Sequence, residues 1–467
     1  MYGAKANTKK ADWYKIWEQL FGAASTATIV DHETHAPRKR ILQQGFSDQA
    51  IRDTESSVIE NTRTFCKIIV NLSQDATNLS SVLTEKDSDP GWGPSQNLSQ
   101  LYGYLTYDIM GGMVFSTSFD MQTSEKNRPY LGISMDALRG LNTVSYIFRN
   151  PNAIVLTVWE QVGFMPLLLR LKLDKIFFKE LNAGMERYKL YCAEQATIRT
   201  ARQQEMKTRD VWSALMFAKD PLTGQSFTEK DLQSEAAIII SAASHPSRTT
   251  LCALTHYLID HPACMDAIRA ELQSTFSHAD EIRSGPGLQK CHYLRACLRE
   301  TLRLCPGIPG NPLRTVLKGG LTVDDNFFPE GTDIGLSTYA VHHAERYFPK
   351  PFSFIPERWL ARPAGDLGPE STDYATKDSI AQANEAFAAF STGPMGCLGK
   401  NIVYHQLMVI FARMAWQFDL RRGPPPAGYE SKRMGRAIAQ AMHGEYPQRD
   451  NFSAEGDGPW VQFRSRL

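Results

Sequence analysis

The stretch Phe390-Ser391-Thr392-Gly393-Pro394-Met395-Gly396-Cys397-Leu398-Gly399-Lys400 runs directly into a segment where Ile402, Val403, Leu407, Ile410, Phe411 and Met414 recur at helical spacing. Cys397 therefore stands at a helix start. Free backbone N–H groups and the positive end of the helix dipole lower a thiol's pKa there, and the flanking glycines let the backbone approach a flat ligand closely. That combination suits a thiolate ligand to a metal. Two other meanings compete: a glycine-rich turn with an inert buried cysteine, and a phosphate loop. The phosphate loop needs glycine at 394 and Ser or Thr at 401, whereas the chain has Pro394 and Asn401.

Away from this stretch the chain is long and electrically balanced. It has 467 residues, and 51 Lys plus Arg stand against 50 Asp plus Glu, so no net field favours nucleic acid. Eight cysteines are scattered without paired spacing, which suits a reducing compartment and argues against a zinc finger or ribbon. No run of 18 uncharged apolar residues occurs, so neither a spanning helix nor a signal peptide is expected. The richest apolar stretch, 154–173, is broken by Glu160, Pro166, Arg170 and Lys172 and fits either a core helix with its loop or a surface helix pair in peripheral contact with a bilayer.

Apolar periodicity predicts helices over 48–82, 98–114 and 174–200, and another from Thr228 to Asp260 that is long and largely buried. After Pro306 the pattern shortens to extended pieces at 313–316, 320–323 and 332–336, predicting small sheets. The loops at 361–377 and 423–426 flank no segment with a full hydrophobic pattern of its own, so residues 1–467 read as a single domain without repeats, mainly α with small β-sheets.

The opening stretch resembles the haem loop of the cytochrome P-450 family, F-x-x-G-x-R-x-C-x-G, at Phe390, Gly393, Cys397 and Gly399. The family arginine that pairs with a haem propionate is Met395 here. Two further motifs stand at the family's intervals before Cys397: Glu300-Thr301-Leu302-Arg303, similar to its E-x-x-R helix, and Pro356-Glu357-Arg358-Trp359, similar to its P-E-R-F segment. Taken alone, Glu300 and Arg303 would be an ordinary helical ion pair. The resemblance implies instead that Glu300, Arg303 and Arg358 form a buried charge cluster that fixes the loop carrying Cys397. It also implies haem b (iron protoporphyrin IX) as cofactor, with Cys397 on the iron. His35 and Lys39, one turn apart in His32-Glu33-Thr34-His35-Ala36-Pro37-Arg38-Lys39, resemble the propionate-holding helix, and Arg314 resembles a third propionate donor on a strand.

The resemblance is weaker on the oxygen-binding side. Counting back from His261-Pro262 sets Ala242-Ala243-Ser244-His245-Pro246-Ser247 on the family motif A-G-x-D-T-T, whose acid and alcohol deliver protons during oxygen activation. His245 and Ser247 are the candidates for that role, with a buried, hydrogen-bonded histidine as the alternative. Pro246 should kink the helix and free a carbonyl, that of Ala242 being the candidate. Trp13, Tyr14, Trp17 and Phe21 resemble a loop that lines the substrate pocket. The chain begins where the family's anchor, first helix and first strands would already have passed, so either the sequence is truncated at its N-terminus or the protein has lost an element that helps wall the substrate channel.

Segments such as Leu105-Thr106-Tyr107-Asp108-Ile109-Met110 look like fungal members that tailor secondary metabolites. The resemblance implies a monooxygenase acting on a lipophilic small molecule with O₂, and an intracellular setting that in the family is usually the cytosolic face of the endoplasmic reticulum. No flavin or nicotinamide fingerprint occurs in the chain, so electrons would come from a separate NADPH-dependent flavoprotein reductase. Two rivals stand beside it: a haem-thiolate enzyme that couples, cyclises, dehydrates or isomerises without inserting oxygen, and an inactive haem-binding homologue.

Overall fold

A computed structural model describes residues 1–15, 17–18, 24–80, 91–136, 139, 179–202, 210–361, 375–429 and 444–466. The predicted apolar stretch at 154–173, Phe21 and most of the loop at 361–377 lie outside these residues.

The helices that build the molecule are α1 (His32–Gln44), α2 (Asp48–Ser80), α3 (Leu98–Phe115), α4 (Lys179–Ala201), α5 (Val211–Phe217), α6 (Glu229–Asp260), α7 (Pro262–Thr275), α8 (His292–Leu304), α9 (Thr338–His342), α10 (Lys377–Ala386) and α11 (Lys400–Gln417). Their starts follow local chemistry. Asp31 caps α1 by accepting the Thr34 N–H, and Thr228 and Asp231 form a reciprocal capping box at α6. α3 is buried on nearly every side, and α6 packs along it, so the two form the centre of the core together with α11 and the middle of α2. Pro246 does not end α6, which continues as helix on both sides of it.

The sheets are small and antiparallel: β1 (Thr8–Lys10), β3 (Arg314–Val316) and β6 (Asp333–Ile334) in one; β2 (Gln96–Asn97), β10 (Trp460–Ser465) and β7 (Phe418–Arg422) in another; and the hairpins β4 (Leu321–Val323) with β5 (Asn326–Phe328) and β8 (Gln448–Asn451) with β9 (Ser453–Gly456). The expected extended pieces after Pro306 became β3, β4 and β6. β1 escaped the sequence because Thr8-Lys9-Lys10 has no apolar alternation and finds its partner some three hundred residues away, with Lys10 opposite Arg314. The mainly helical class with small sheets is the one expected.

Candidate functional site

The loop before α11 is built by its own backbone. Ser391 (φ 58°) and Gly393 (φ 71°) turn it, and the Cys397 N–H donates back to the Phe390 carbonyl at 2.9 Å. A Cβ on Gly393 would lie 2.0 Å from the Tyr2 carbonyl oxygen, so only glycine lets residues 2 and 3 pack on the loop. Phe390 lies against Tyr404 of α11, and a Cβ on Gly399 would sit in ordinary contact, 3.7 Å, with the Cys397 sulfur.

Cys397 alone among the eight cysteines is exposed. The chain packed around the sulfur nevertheless raises the thiol pKa by burial. The N–H groups of Gly399 and Lys400 and the Lys39 ammonium pull it down without overtaking burial. The low pKa expected at a helix start is thereby corrected: thiolate at this site calls for a bound metal, which deprotonates a coordinating thiol outright.

Behind the loop the three predicted charges meet. Both oxygens of the fully buried Glu300 are saturated: Arg303 Nε and Nη2 donate at 3.0 and 2.8 Å, Arg358 Nε at 3.0 Å, Trp359 Nε1 at 2.9 Å and the Ile355 N–H at 3.0 Å. Burial pushes the Glu300 carboxyl up, but the two arginines and these donors outweigh it and hold it below its usual range. Arg303 also donates to the carbonyls of His342, Pro351 and Ser353.

Sequence reasoning missed His342. Its Nε2 accepts the Ala388 N–H at 2.9 Å, which leaves Nδ1 to carry the proton and donate to the Arg303 carbonyl at 3.0 Å. Ala388 in turn accepts the Ser391 N–H at 2.8 Å, so the imidazole joins the charge cluster to the loop of Cys397. Burial pushes its pKa down to about 3, keeping it neutral. Nothing in the sequence ties position 342 to 303 or 388.

In front of the loop four basic side chains converge. Lys39 donates to the carbonyls of Pro394 and Gly396, reaching the loop itself. His35 is buried, and its pKa falls to about 3 through burial first and then the charges of Lys10, Lys39, His32 and Arg314. Arg314 is buried above the Tyr2 ring. Lys10, which sequence reasoning passed over, is buried beside them and donates to the carbonyls of Thr26 and Ala27 at 3.0 and 2.8 Å. An exposed thiol on a glycine-bordered loop beside clustered cations fits an iron porphyrin with carboxylate arms.

Ala27 also lines a largely apolar recess. α6 contributes Ile238, Ser241, Ala242 and Pro246 to its wall, and α4 contributes Met185 and Tyr188. Tyr14 and Trp17 line it, facing Phe452 at the tip of the β8–β9 hairpin; Trp13 packs behind, 5.9 Å from Trp17 and 5.4 Å from Phe452 between ring centres. Among the described residues the wall carries hydroxyls but no ionisable acid or base apart from tyrosine. His245 and Ser247 do not line it. His245 is buried toward α3, its Nε2 lying 3.1 Å from the Tyr107 hydroxyl and 3.0 Å from that of Ser134, a residue that does line the recess. The Ser247 hydroxyl is buried and has no hydrogen-bond partner among the described residues.

A family model for cytochrome P450 matches residues 27–434. The cytochrome P450 monooxygenase apf7 of Gibberella fujikuroi is 30% identical, the match covering 100% of this chain and 82% of the relative. The cytochrome P450 monooxygenase AKT7 of Alternaria alternata is 31% identical over 99% of this chain and 81% of its own length. A cytochrome P450 monooxygenase of Gibberella zeae is 30% identical over 100% and 97%. Among solved structures, a cytochrome P450 crystal structure superposes with a TM-score of 0.69 at 16% identity, covering 98% of this chain and 85% of that one.

Proposed function

Because the chain belongs to the cytochrome P450 family, whose members are haem-thiolate monooxygenases with haem b as cofactor, we propose that Cys397 is the iron ligand of an enzyme that tailors a lipophilic secondary metabolite. The observation that carries this reading is the exposed Cys397 thiol on a loop pinned through His342 to the Glu300 cluster and through Lys39 to the cations in front. His35, Lys39 and Arg314 would hold the haem carboxylates. Bound there, the haem would supply oxygen activation, with O₂ as the oxidant and electrons delivered by a separate NADPH-dependent reductase.

The chain's own residues do the rest. Tyr14, Trp17, Ile238, Ala242, Ile308 and Phe452 bind an apolar skeleton and exclude water. Tyr188 donates to the Ala237 carbonyl at 2.9 Å and so accepts from Ser241 at 2.8 Å, which fixes the lone pairs of Ser241 in the cavity wall. The Ser134 hydroxyl, backed by Tyr107 at 2.5 Å and His245 Nε2 at 3.0 Å, holds a proton at the wall. We assign the Ser134 hydroxyl the delivery role that the sequence gave to His245 with Ser247: it hands its proton into the cavity and takes one back from a water molecule there, while Tyr107 and His245 fix its orientation. Burial pushes the Tyr107 phenol up, so it stays a neutral donor.

A reduced carbon monoxide difference spectrum tests the ligand: the thiolate-type band is expected in the wild type and lost in Cys397→Ser. Its absence from the wild type would overturn the reading. The replacement of acid and alcohol by His245-Pro246 favours one other reaction, oxidation without oxygen insertion. Product lacking label from ¹⁸O₂ would select it.

A further inference from the structure

Lys10 and Arg314 stand directly opposite each other in the β1–β3 ladder, so their side chains leave the same face of the sheet. Both are buried, and Lys39 and His35 reach the same place from α1. Like charges directly opposite destabilise a ladder, and burial makes the repulsion worse. The acid nearby does not cancel it. Glu235 spends one oxygen on the Thr26 N–H at 2.6 Å, the Thr26 hydroxyl at 2.7 Å and Arg38 Nη2 at 3.1 Å, and its pull on Lys10 is weaker than the push of either Arg314 or Lys39. The partners Lys10 does have are two neutral carbonyls, and among the described residues neither Lys10 nor Arg314 forms an ion pair. Burial first, then Arg314 and Lys39, pull the Lys10 ammonium down to about 7, so a lysine that is to stay charged beside an arginine at this buried rung needs an anion of more than one oxygen to share.

We propose that Lys10 is a haem-carboxylate-binding residue, completing with Arg314 and Lys39 the anion site that lacks an arginine at Met395. This rests on the haem reading above. It also gives the Glu235–Arg38 contact a purpose: Glu235 anchors Thr26, whose carbonyl with that of Ala27 holds the Lys10 ammonium, so α6 sets the position of a cation in front of the Cys397 loop. Lys10 is in that sense tied to the cavity wall, which Ala27 and Thr28 line.

The test follows haem transfer from the haem-loaded chain to excess apomyoglobin, with the same chain reconstituted with haemin dimethyl ester, whose arms carry no charge. Loss of one charge-assisted contact predicts that Lys10→Met releases haem about tenfold faster or more. Release of the dimethyl ester should stay within about twofold of wild type, and Lys10→Arg should restore haem retention to within about threefold. Lys9→Met, changed on the opposite face of the same strand, serves as the control and should match wild type. Equal acceleration for haem and its ester would show a merely structural role, and no acceleration for either would show no role; both overturn the proposal. A wild-type chain that retains no haem at all would sink the haem reading itself.

Discussion

Glu300→Gln is nearly isosteric, yet it removes the one negative charge facing two buried guanidinium groups. The carboxylate accepts five hydrogen bonds, four from side-chain nitrogens of Arg303, Arg358 and Trp359 and one from the Ile355 backbone. A glutamine keeps one acceptor oxygen and turns its NH₂ toward donors, leaving Arg303 and Arg358 without a counter-charge. Breaking a buried pair in this way costs about 3–5 kcal/mol. With an unfolding entropy of about 2.1 cal/mol/K per residue, a chain of this length loses about 3–5 °C of thermal midpoint. The damage should also reach the loop, because Arg303 holds His342 and His342 holds Ala388, so haem loss should accelerate alongside the thermal shift. The assay is thermal unfolding by circular dichroism at a fixed scan rate, paired with haem transfer. A midpoint within about 1 °C of wild type, with unchanged haem retention, would refute the claim that the carboxylate charge holds the cluster together.

Gly393→Ala should be severe for its size, because the added carbon meets the Tyr2 carbonyl and the left-handed φ is unfavourable; haem incorporation on expression should fall several-fold, while Gly428→Ala, at a comparable φ of 73° with nothing nearby, should not affect it. His342 has its folded pKa pushed down to about 3, below its unfolded value, so the stability it contributes is complete above about pH 6.5 and is lost as pH falls toward 3. Urea midpoints should drop on acidification through that window, and His342→Asn should show a shallower drop from a lower start; an unchanged slope would remove His342 as the cause. Glu300, depressed in the same direction, contributes stability that disappears only when pH falls through its folded pKa, beneath the usual carboxylate range. Ser134→Ala should lower product formed per NADPH consumed and raise peroxide release, whereas Ser247→Ala should leave both near wild type; the reverse ranking would return the alcohol role to Ser247.

Much of the proximal half could be read directly from residue order. Glu300 and Arg303 share one helix face, Cys397 precedes α11 by three residues, and these local facts survive folding because a helix fixes its own geometry. The capping signal at Thr228 located α6 to the residue for the same reason. Periodicity also found α2 and α3, the first through its recurring apolar residues and the second because its apolar residues are buried on nearly every side.

What the sequence determined by itself was thus the cysteine, its helix and the family motifs, all set by contacts within a few residues or by a memorable spacing. Tertiary structure alone decided the rest. It turned Lys10, an unremarkable lysine in a polar tripeptide, into a buried cation by pairing β1 with β3. It made His342 the link between Arg303 and Ala388, and it pointed His245 toward Tyr107 and Ser134 rather than into the cavity. It also reversed the sign for the Cys397 thiol, because the dipole and N–H effects are local and legible, whereas burial depends on how much distant chain is packed around the sulfur.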